Sequence, residues 1–113
     1  MTILYGIKNC DTVKKARAWL EAQGVAYRFH DFRADGLSAE LLGELETALG
    51  WQALLNRRGT TWRKLEEDQR ENIDRSKAMA LMLAQPSLVK RPVLATGTKT
   101  LIGFTPDYYA KEL

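Results

Sequence analysis

The order of apolar and polar positions over residues 1–30 predicts a strand, a helix and a second strand. Residues 3–5 form a short apolar run, and Gly6 allows a turn after it. The helix runs from about residue 12 to Gly24, a residue suited to the position past a helix end. Its apolar positions recur at helical spacing: Val13, Ala16 and Leu20. Residues 25–30 then alternate between apolar and polar, so the second strand returns parallel to the first.

Later segments predict helices, a hairpin and a terminal helix. Ser38 caps a helix that ends at Gly50, and further helix is predicted over 51–55, 62–65 and 72–83, with Pro86 closing the last of these. Strands over 87–95 and 99–102 form a hairpin, and Thr105 caps a last helix. Together the elements predict an α/β, thioredoxin-like fold. It has a four-stranded mixed sheet and a helical block inserted over about residues 38–86 of a single domain.

Composition narrows the class of protein. A length of 113 residues suits one domain, and 45% hydrophobic with 27% charged residues excludes a disordered chain or a membrane protein. The net charge of +3 is spread among both signs, which fits small anionic substrates better than direct nucleic-acid binding. No secretion signal is recognised, because Lys8 interrupts the first apolar stretch. We expect a cytoplasmic monomer that does not associate with membranes.

Cys10 is the candidate for chemistry. It stands where the first helix begins, with Asp11 or Thr12 as the expected cap. Backbone N–H groups and the positive end of a helix dipole favour a thiolate, the nucleophilic form of cysteine. The alternative is a small, buried and inert residue, and position alone leaves both open. One cysteine and one histidine give neither an internal disulfide nor a metal cluster, so a redox partner sulfur must come from another molecule.

Two further features carry weaker signals. Arg57 and Arg58 lie in a Gly/Thr loop between two tryptophans, where they form either a solvated turn or an anion clamp. His30 could act as a general base. Nothing in the sequence places it near Cys10, however, and a polar residue at a strand end is the favoured interpretation.

Four blocks carry a resemblance that covers essentially the whole chain. They are LYGIKNCDT at 4–12, KARAWL at 15–20, LLNRRGTTWRKL at 54–65 and KRP at 90–92. On these blocks the chain resembles the ArsC family of arsenate reductases and Spx regulators, and within it the YffB branch.

The resemblance implies roles for several residues. Cys10 would be the nucleophile, Arg91 would help to bind an anionic substrate, and Pro92 would be a cis-proline that faces the cysteine loop. An anion-binding arginine is expected at Arg57 or Arg58, and Arg58 is preferred.

The chain also departs from the family pattern. Arsenate reductases of this family follow the cysteine with Gly-Thr-Ser-Arg, whereas this chain has Asp11-Thr12-Val13-Lys14. A further arginine after the hairpin is replaced by Ile102-Gly103-Phe104. Spx proteins often carry a second cysteine where this chain has Val13, so an intramolecular redox switch is excluded.

The leading hypothesis is a glutathione-dependent thiol reductase, an oxidoreductase with no bound cofactor. Lys8, Arg58 and Arg91 would bind glutathione carboxylates. Asn9 and the N–H groups of Asp11 and Thr12 would stabilise developing charge. The alternatives are an Spx-like protein that docks on RNA polymerase and an arsenate reductase coupled to glutathione or glutaredoxin.

Overall fold

In the computed structural model, which describes residues 1–113, four strands form one mixed sheet. The strands are β1 (Ile3–Gly6), β2 (Arg28–Asp31), β3 (Val93–Ala95) and β4 (Thr100–Ile102). Their order is β2-β1-β3-β4, in which β1 and β2 are parallel and the other two pairs are antiparallel. The mixed sheet and its topology confirm the predicted α/β, thioredoxin-like fold.

Two helices pack against this sheet, α1 (Asp11–Ala22) and α7 (Pro106–Glu112). Both helices and the strands β1, β3 and β4 contribute side chains to one buried cluster. Its members are Leu4, Ala16, Leu20, Leu94, Leu101 and Tyr109. Thr105 caps α7 as predicted, because its Oγ1 accepts a hydrogen bond from Tyr108 N at 3.1 Å.

The second strand begins later than predicted, at Arg28 rather than Val25. The end of α1 explains the difference. Gly24 has a φ of +70°, and the N–H group of Val25 donates to Leu20 O at 3.0 Å. This is the bonding pattern of a Schellman motif, so residue 25 belongs to the helix end and is not free to pair in the sheet.

The chain divides into two compact units, residues 1–36 with 91–113 and residues 37–90. Five helices lie in the second unit, and they are α2 (Ala39–Leu49), α3 (Trp51–Leu54), α4 (Thr60–Arg63), α5 (Glu67–Arg70) and α6 (Arg75–Ala84). The expectation that both units belong to a single domain stays a prediction.

Capping side chains set the starts of the two long helices in residues 37–90. Ser38 Oγ accepts from Leu41 N at 3.0 Å, as the sequence predicts. The predicted start of the later helix at residue 72 is wrong, because Asp74 is the cap and accepts from Lys77 N at 2.8 Å. The short helix α4 also lies two residues before the predicted 62–65.

The long strand predicted over 87–95 is also wrong. Pro86–Leu88 forms a 3-10 helix, so Pro86 follows the end of α6 at Ala84, as predicted, and also begins the next element. Val89 makes an isolated antiparallel bridge to Leu55. Only Val93–Ala95 joins the sheet, and Pro92, which has no N–H group to donate, directly precedes it.

No helix is both long and apolar enough to cross a membrane. No group of three or more His, Cys, Asp or Glu side chains is arranged to hold a metal ion.

Candidate active site

Cys10 occupies the N-cap position of α1, with φ −102° and ψ 124°. Its carbonyl oxygen accepts the first helical hydrogen bond, from Lys14 N at 2.9 Å, and its side chain makes no capping bond. The prediction that Asp11 or Thr12 caps the helix is therefore wrong. The thiol is partly exposed and free of capping, next to the first-turn N–H groups that lack partners within the helix.

A tight turn connects β1 to Cys10. Cys10 N donates to Ile7 O at 3.3 Å, which leaves Lys8 and Asn9 exposed at the tip of the turn. Asp11 is exposed and Thr12 is half-buried in the first turn of α1. Five consecutive candidate residues, 8–12, thus surround one helix start.

Gly6 has a different role from the predicted one. It is the last residue of β1 and pairs with Asp31, so it does not make the turn itself. A Cβ atom at residue 6 would lie 2.7 Å from Val13 Cγ2, which is closer than real Cβ atoms approach a neighbour. Gly6 therefore allows α1 to lie close against β1 just behind the cysteine loop.

Asp31, at the end of β2, supports the cysteine loop and was not predicted from the sequence. Its Oδ2 accepts from Lys8 N at 3.2 Å. Its Oδ1 accepts from Arg33 N at 2.8 Å and from Ala34 N at 3.2 Å. The side chain is buried, so one carboxylate ties the turn before Cys10 to the turn after β2. The sequence signal that could have identified Asp31 is an acidic residue at the carboxyl end of a strand predicted to be parallel to β1.

These contacts set the ionisation of Asp31. Burial raises the pKa of its carboxyl group, but the three backbone hydrogen bonds and the charge of Arg33 lower it by more. The net pKa lies below the ordinary value of 3.8, so the carboxylate is the form that holds the loop at neutral pH.

Arg91 and Pro92 precede β3, in the same unit as Cys10. The peptide bond between them is cis, as the resemblance implies. Pro92 is buried and its carbonyl oxygen accepts from Gly103 N at 2.9 Å, while Arg91 is half-buried.

Arg57 and Arg58 lie in the unit of residues 37–90, and both line one cavity of about 370 Å³. The structure therefore does not single out the preferred Arg58. Lys90 and Gln52 line the same cavity, together with Leu55, and neither was predicted as a site residue. Lys90 could not be found from local sequence because it is brought there by pairing with residues more than thirty positions earlier.

The loop that carries the two arginines is held by its own polar groups. Asn56 Oδ1 accepts from Arg58 N at 3.1 Å, and Arg63 Nη2 donates to Arg58 O at 3.0 Å. A Cβ atom at Gly59 would lie 2.9 Å from Asn56 Nδ2, so this glycine lets the asparagine side chain fold over the loop. The loop is thus more ordered than its lack of periodicity suggests.

His30 lies within β2, where its Nε2 is 2.8 Å from Gly36 O. A carbonyl oxygen only accepts hydrogen bonds, so Nε2 carries the proton and donates it. The ring also packs against Tyr5 and Phe32. These contacts give His30 a structural role in the turn after β2.

Comparison with known proteins decides the family. The model of the ArsC family matches residues 5–111. The chain belongs to the ArsC family. A solved structure of a protein named YffB shares 56% identity and a TM-score of 0.92, with 98% of this chain and 97% of that chain covered.

Two further relatives differ in how they are described. An arsenate reductase related protein from Brucella melitensis is 55% identical with a TM-score of 0.81, covering 97% of this chain and 92% of that one. The global transcriptional regulator Spx of Streptococcus mutans is 32% identical, covering 95% of this chain and 79% of its own length. The relatives thus include both reductase-like proteins and regulators.

Proposed function

We propose that this ArsC-family chain is a thiol reductase in which Cys10 forms a mixed disulfide and glutathione restores the thiol. The position of Cys10 carries the proposal. Its side chain is partly exposed at the start of a twelve-residue helix and is not used to cap that helix. A thiolate there lies next to backbone N–H groups and the positive end of the helix dipole.

The reaction proceeds by thiol–disulfide exchange. The Cys10 thiolate attacks one sulfur of a substrate disulfide, so a bond from Cys10 forms while the substrate S–S bond breaks and one thiolate leaves. A glutathione thiolate then displaces the remaining substrate half from Cys10. A second glutathione frees Cys10, and two glutathione molecules leave as one oxidised disulfide. Glutathione supplies both electrons, and a glutaredoxin could take its place as the reductant.

Charged side chains would hold glutathione during these steps. Lys8 and Arg91 belong to the unit that contains Cys10, and Arg58 to the other unit. Each of these cations can bind a glutathione carboxylate, because guanidinium and ammonium groups form charge-assisted hydrogen bonds with carboxylates. Asn9 and the N–H groups of Asp11 and Thr12 would stabilise the charge that develops on sulfur.

The test is the reduction of a small glutathione mixed disulfide with glutathione as the sole reductant. We expect turnover by the wild-type chain and none by Cys10→Ser. Arg91→Gln is expected to raise KM for glutathione. Its matched control is Lys111→Gln, which removes one positive charge from an exposed position on α7 and should change nothing. Turnover by Cys10→Ser at the wild-type rate would contradict the proposal.

A regulatory role is the second candidate, and the 32% identity to Spx over 95% of the chain favours it. In that role the chain would act by docking on a partner such as RNA polymerase, and Cys10 would be dispensable. Loss of turnover without loss of partner binding in Cys10→Ser would separate the two activities.

An arsenate reductase is the third candidate, favoured by the relative from Brucella melitensis. Replacing the disulfide by arsenate in the same assay tests it directly. We expect little turnover, because the residues that follow Cys10 differ from those of the family's arsenate reductases.

A further inference from the structure

A two-stranded contact within residues 37–90 brings three cations to one cavity. Asn56 N donates to Leu88 O and Lys90 N donates to Leu54 O, each at 2.7 Å, on either side of the bridge between Leu55 and Val89. This pairing aligns residue 90 with the loop that follows residue 55. Three cations, one amide and one apolar side chain line the cavity: Arg57, Arg58, Lys90, Gln52 and Leu55.

The positive charge at this cavity is not neutralised by the protein. No Asp or Glu lines the cavity. The ion pairs of Arg75 with Glu46 and of Lys99 with Glu112 do not involve residues that line the cavity. Neither the guanidinium of Arg58 nor the ammonium of Lys90 donates to a protein acceptor. Clustered cations without counter-charges attract anions and raise their local concentration.

Arg57 is held differently from the other two cations. Its guanidinium lies 5.8 Å from the ring centroid of Trp51 and 5.7 Å from that of Trp62. Both distances are within the roughly 6 Å at which cation–π attraction operates. The two rings restrict Arg57 while leaving its N–H groups able to donate, which lowers the entropy lost when an anion binds.

The size and lining of the cavity indicate the class of ligand. A volume of about 370 Å³ falls within the range of roughly 300–1,000 Å³ typical of small-molecule sites. It is much larger than the volume of a tetrahedral oxyanion. Arg57 and Arg58 lie on one segment of the chain and Lys90 lies on another. Cations on two segments suit a ligand whose two carboxylates lie apart. Gln52 offers an amide that can pair with a peptide group of the ligand.

We propose that this cavity binds a small peptide-like dicarboxylate, with Lys90 and Arg57 as selectivity residues. The inference deepens the proposed function, because glutathione is a ligand of this class. It adds Lys90 and Arg57 to Arg58 as cations that recognise carboxylates, and Gln52 as the partner of a peptide group of the ligand. It also predicts a preference for dicarboxylates over phosphate or arsenate.

The experiment separates binding from chemistry. The probe is S-methylglutathione, which keeps both carboxylates and has no reactive thiol, and it is titrated calorimetrically into the full chain carrying Cys10→Ser. Lys90→Gln is then compared with Lys64→Gln in that background. Both lysines are exposed in the same unit, but only Lys90 lines the cavity. Lys90→Gln should weaken binding about tenfold, the effect expected for a lost charge-assisted hydrogen bond, whereas Lys64→Gln should not.

Other outcomes overturn the inference. Absence of binding, equal losses in the two lysine variants, or phosphate binding as tightly as S-methylglutathione would each contradict it. Arg57→Gln is the second variant, and its binding should also weaken while its circular dichroism spectrum stays native. If the dicarboxylate binds through Lys90 but the wild-type chain shows no glutathione-dependent turnover, the proposed function fails and this inference stands. If glutathione-dependent turnover does not depend on Lys90, the proposed function stands and this inference fails.

Discussion

Gly6 of β1 and Val13 of α1 approach so closely that no side chain fits at residue 6. A Cβ atom there would lie 2.7 Å from Val13 Cγ2 and 3.1 Å from Cγ1. Val13 is fully buried, so its side chain cannot move aside into solvent. The contact fixes the first turn of α1 against the sheet, and with it the position of Cys10.

Replacement of Gly6 by alanine should therefore destabilise the fold. We expect Gly6→Ala to lower the free energy of unfolding by about 1–3 kcal/mol, the usual effect of overpacking a core. Chemical denaturation measures it. The double variant Gly6→Ala/Val13→Ala should lose less than the sum of the two single losses, since removal of the two Cγ atoms makes room for the new methyl group.

Gly43→Ala is a control for which the opposite change in the free energy of unfolding is expected. It lies inside α2, has no positive φ, and a Cβ atom there would meet nothing within 4 Å. Gly43→Ala should raise the free energy of unfolding by about 0.5–1 kcal/mol, because alanine favours a helix over glycine. Equal destabilisation by Gly6→Ala and Gly43→Ala would contradict the packing argument.

Asp31 is expected to stabilise the cysteine loop in a pH-dependent way. Asparagine keeps one acceptor oxygen, so Asp31→Asn leaves either Lys8 N–H or the Arg33 and Ala34 N–H groups without a partner. The expected loss at neutral pH is about 1–3 kcal/mol in the free energy of unfolding.

The sign of the pH dependence follows from the direction of the pKa shift. The pKa of Asp31 is lower in the folded chain than its ordinary value of 3.8, so its contribution is present above that value. The contribution is lost as the pH falls through the folded pKa. Unfolding measured across this range should show the wild type and Asp31→Asn converging in acid. Glu44→Gln, at an exposed position on α2, should track the wild type throughout.

Tyr109 combines full burial with an unpaired hydroxyl. Its ring packs edge-on against Phe104 at 4.7 Å and Trp19 at 5.7 Å, but its hydroxyl has no hydrogen-bond partner. Tyr109→Phe keeps the ring and removes the unpaired group, so the free energy of unfolding should rise by about 1 kcal/mol. Tyr27→Phe makes the same change where the hydroxyl bonds Arg17 and Glu21, and it should not stabilise the chain.

Alkaline pH should widen the difference between wild type and Tyr109→Phe. Burial raises the pKa of the Tyr109 hydroxyl above its ordinary 10.0, and the nearby Tyr108 raises it further. Above pH 10.0 the unfolded chain ionises before the folded one, so the wild type loses stability that the phenylalanine variant keeps. A constant difference between neutral and alkaline pH would count against this account.

Local patterns were sufficient where an element's signals lie within its own sequence. The apolar spacing of α1, Ser38 and Thr105 as caps, and the hairpin of β3 and β4 all depend on residues near one another in the chain. The order of these elements, with a parallel crossover first and a hairpin last, was enough to predict the sheet.

Contacts between distant segments were not predictable in the same way. Val89 has the residue type of a sheet strand, but it pairs with Leu55 instead. Asp31 was not singled out because its role depends on the parallel register that sets it opposite Gly6. Lys90 reaches its cavity only through the bridge at Val89. These roles follow from pairing over long sequence separations, which periodicity does not encode.

The reactivity of Cys10 toward oxidised glutathione tests the central claim most directly. Because Cys10 is the only cysteine, the intact mass of the chain reports the mixed disulfide at this residue alone. The same chain unfolded in urea is the matched control, since it has the same thiol without the helix start. We predict that the folded chain forms the adduct several times faster and that added glutathione reverses it. An adduct that forms no faster in the folded chain, or that glutathione leaves in place, would contradict the account.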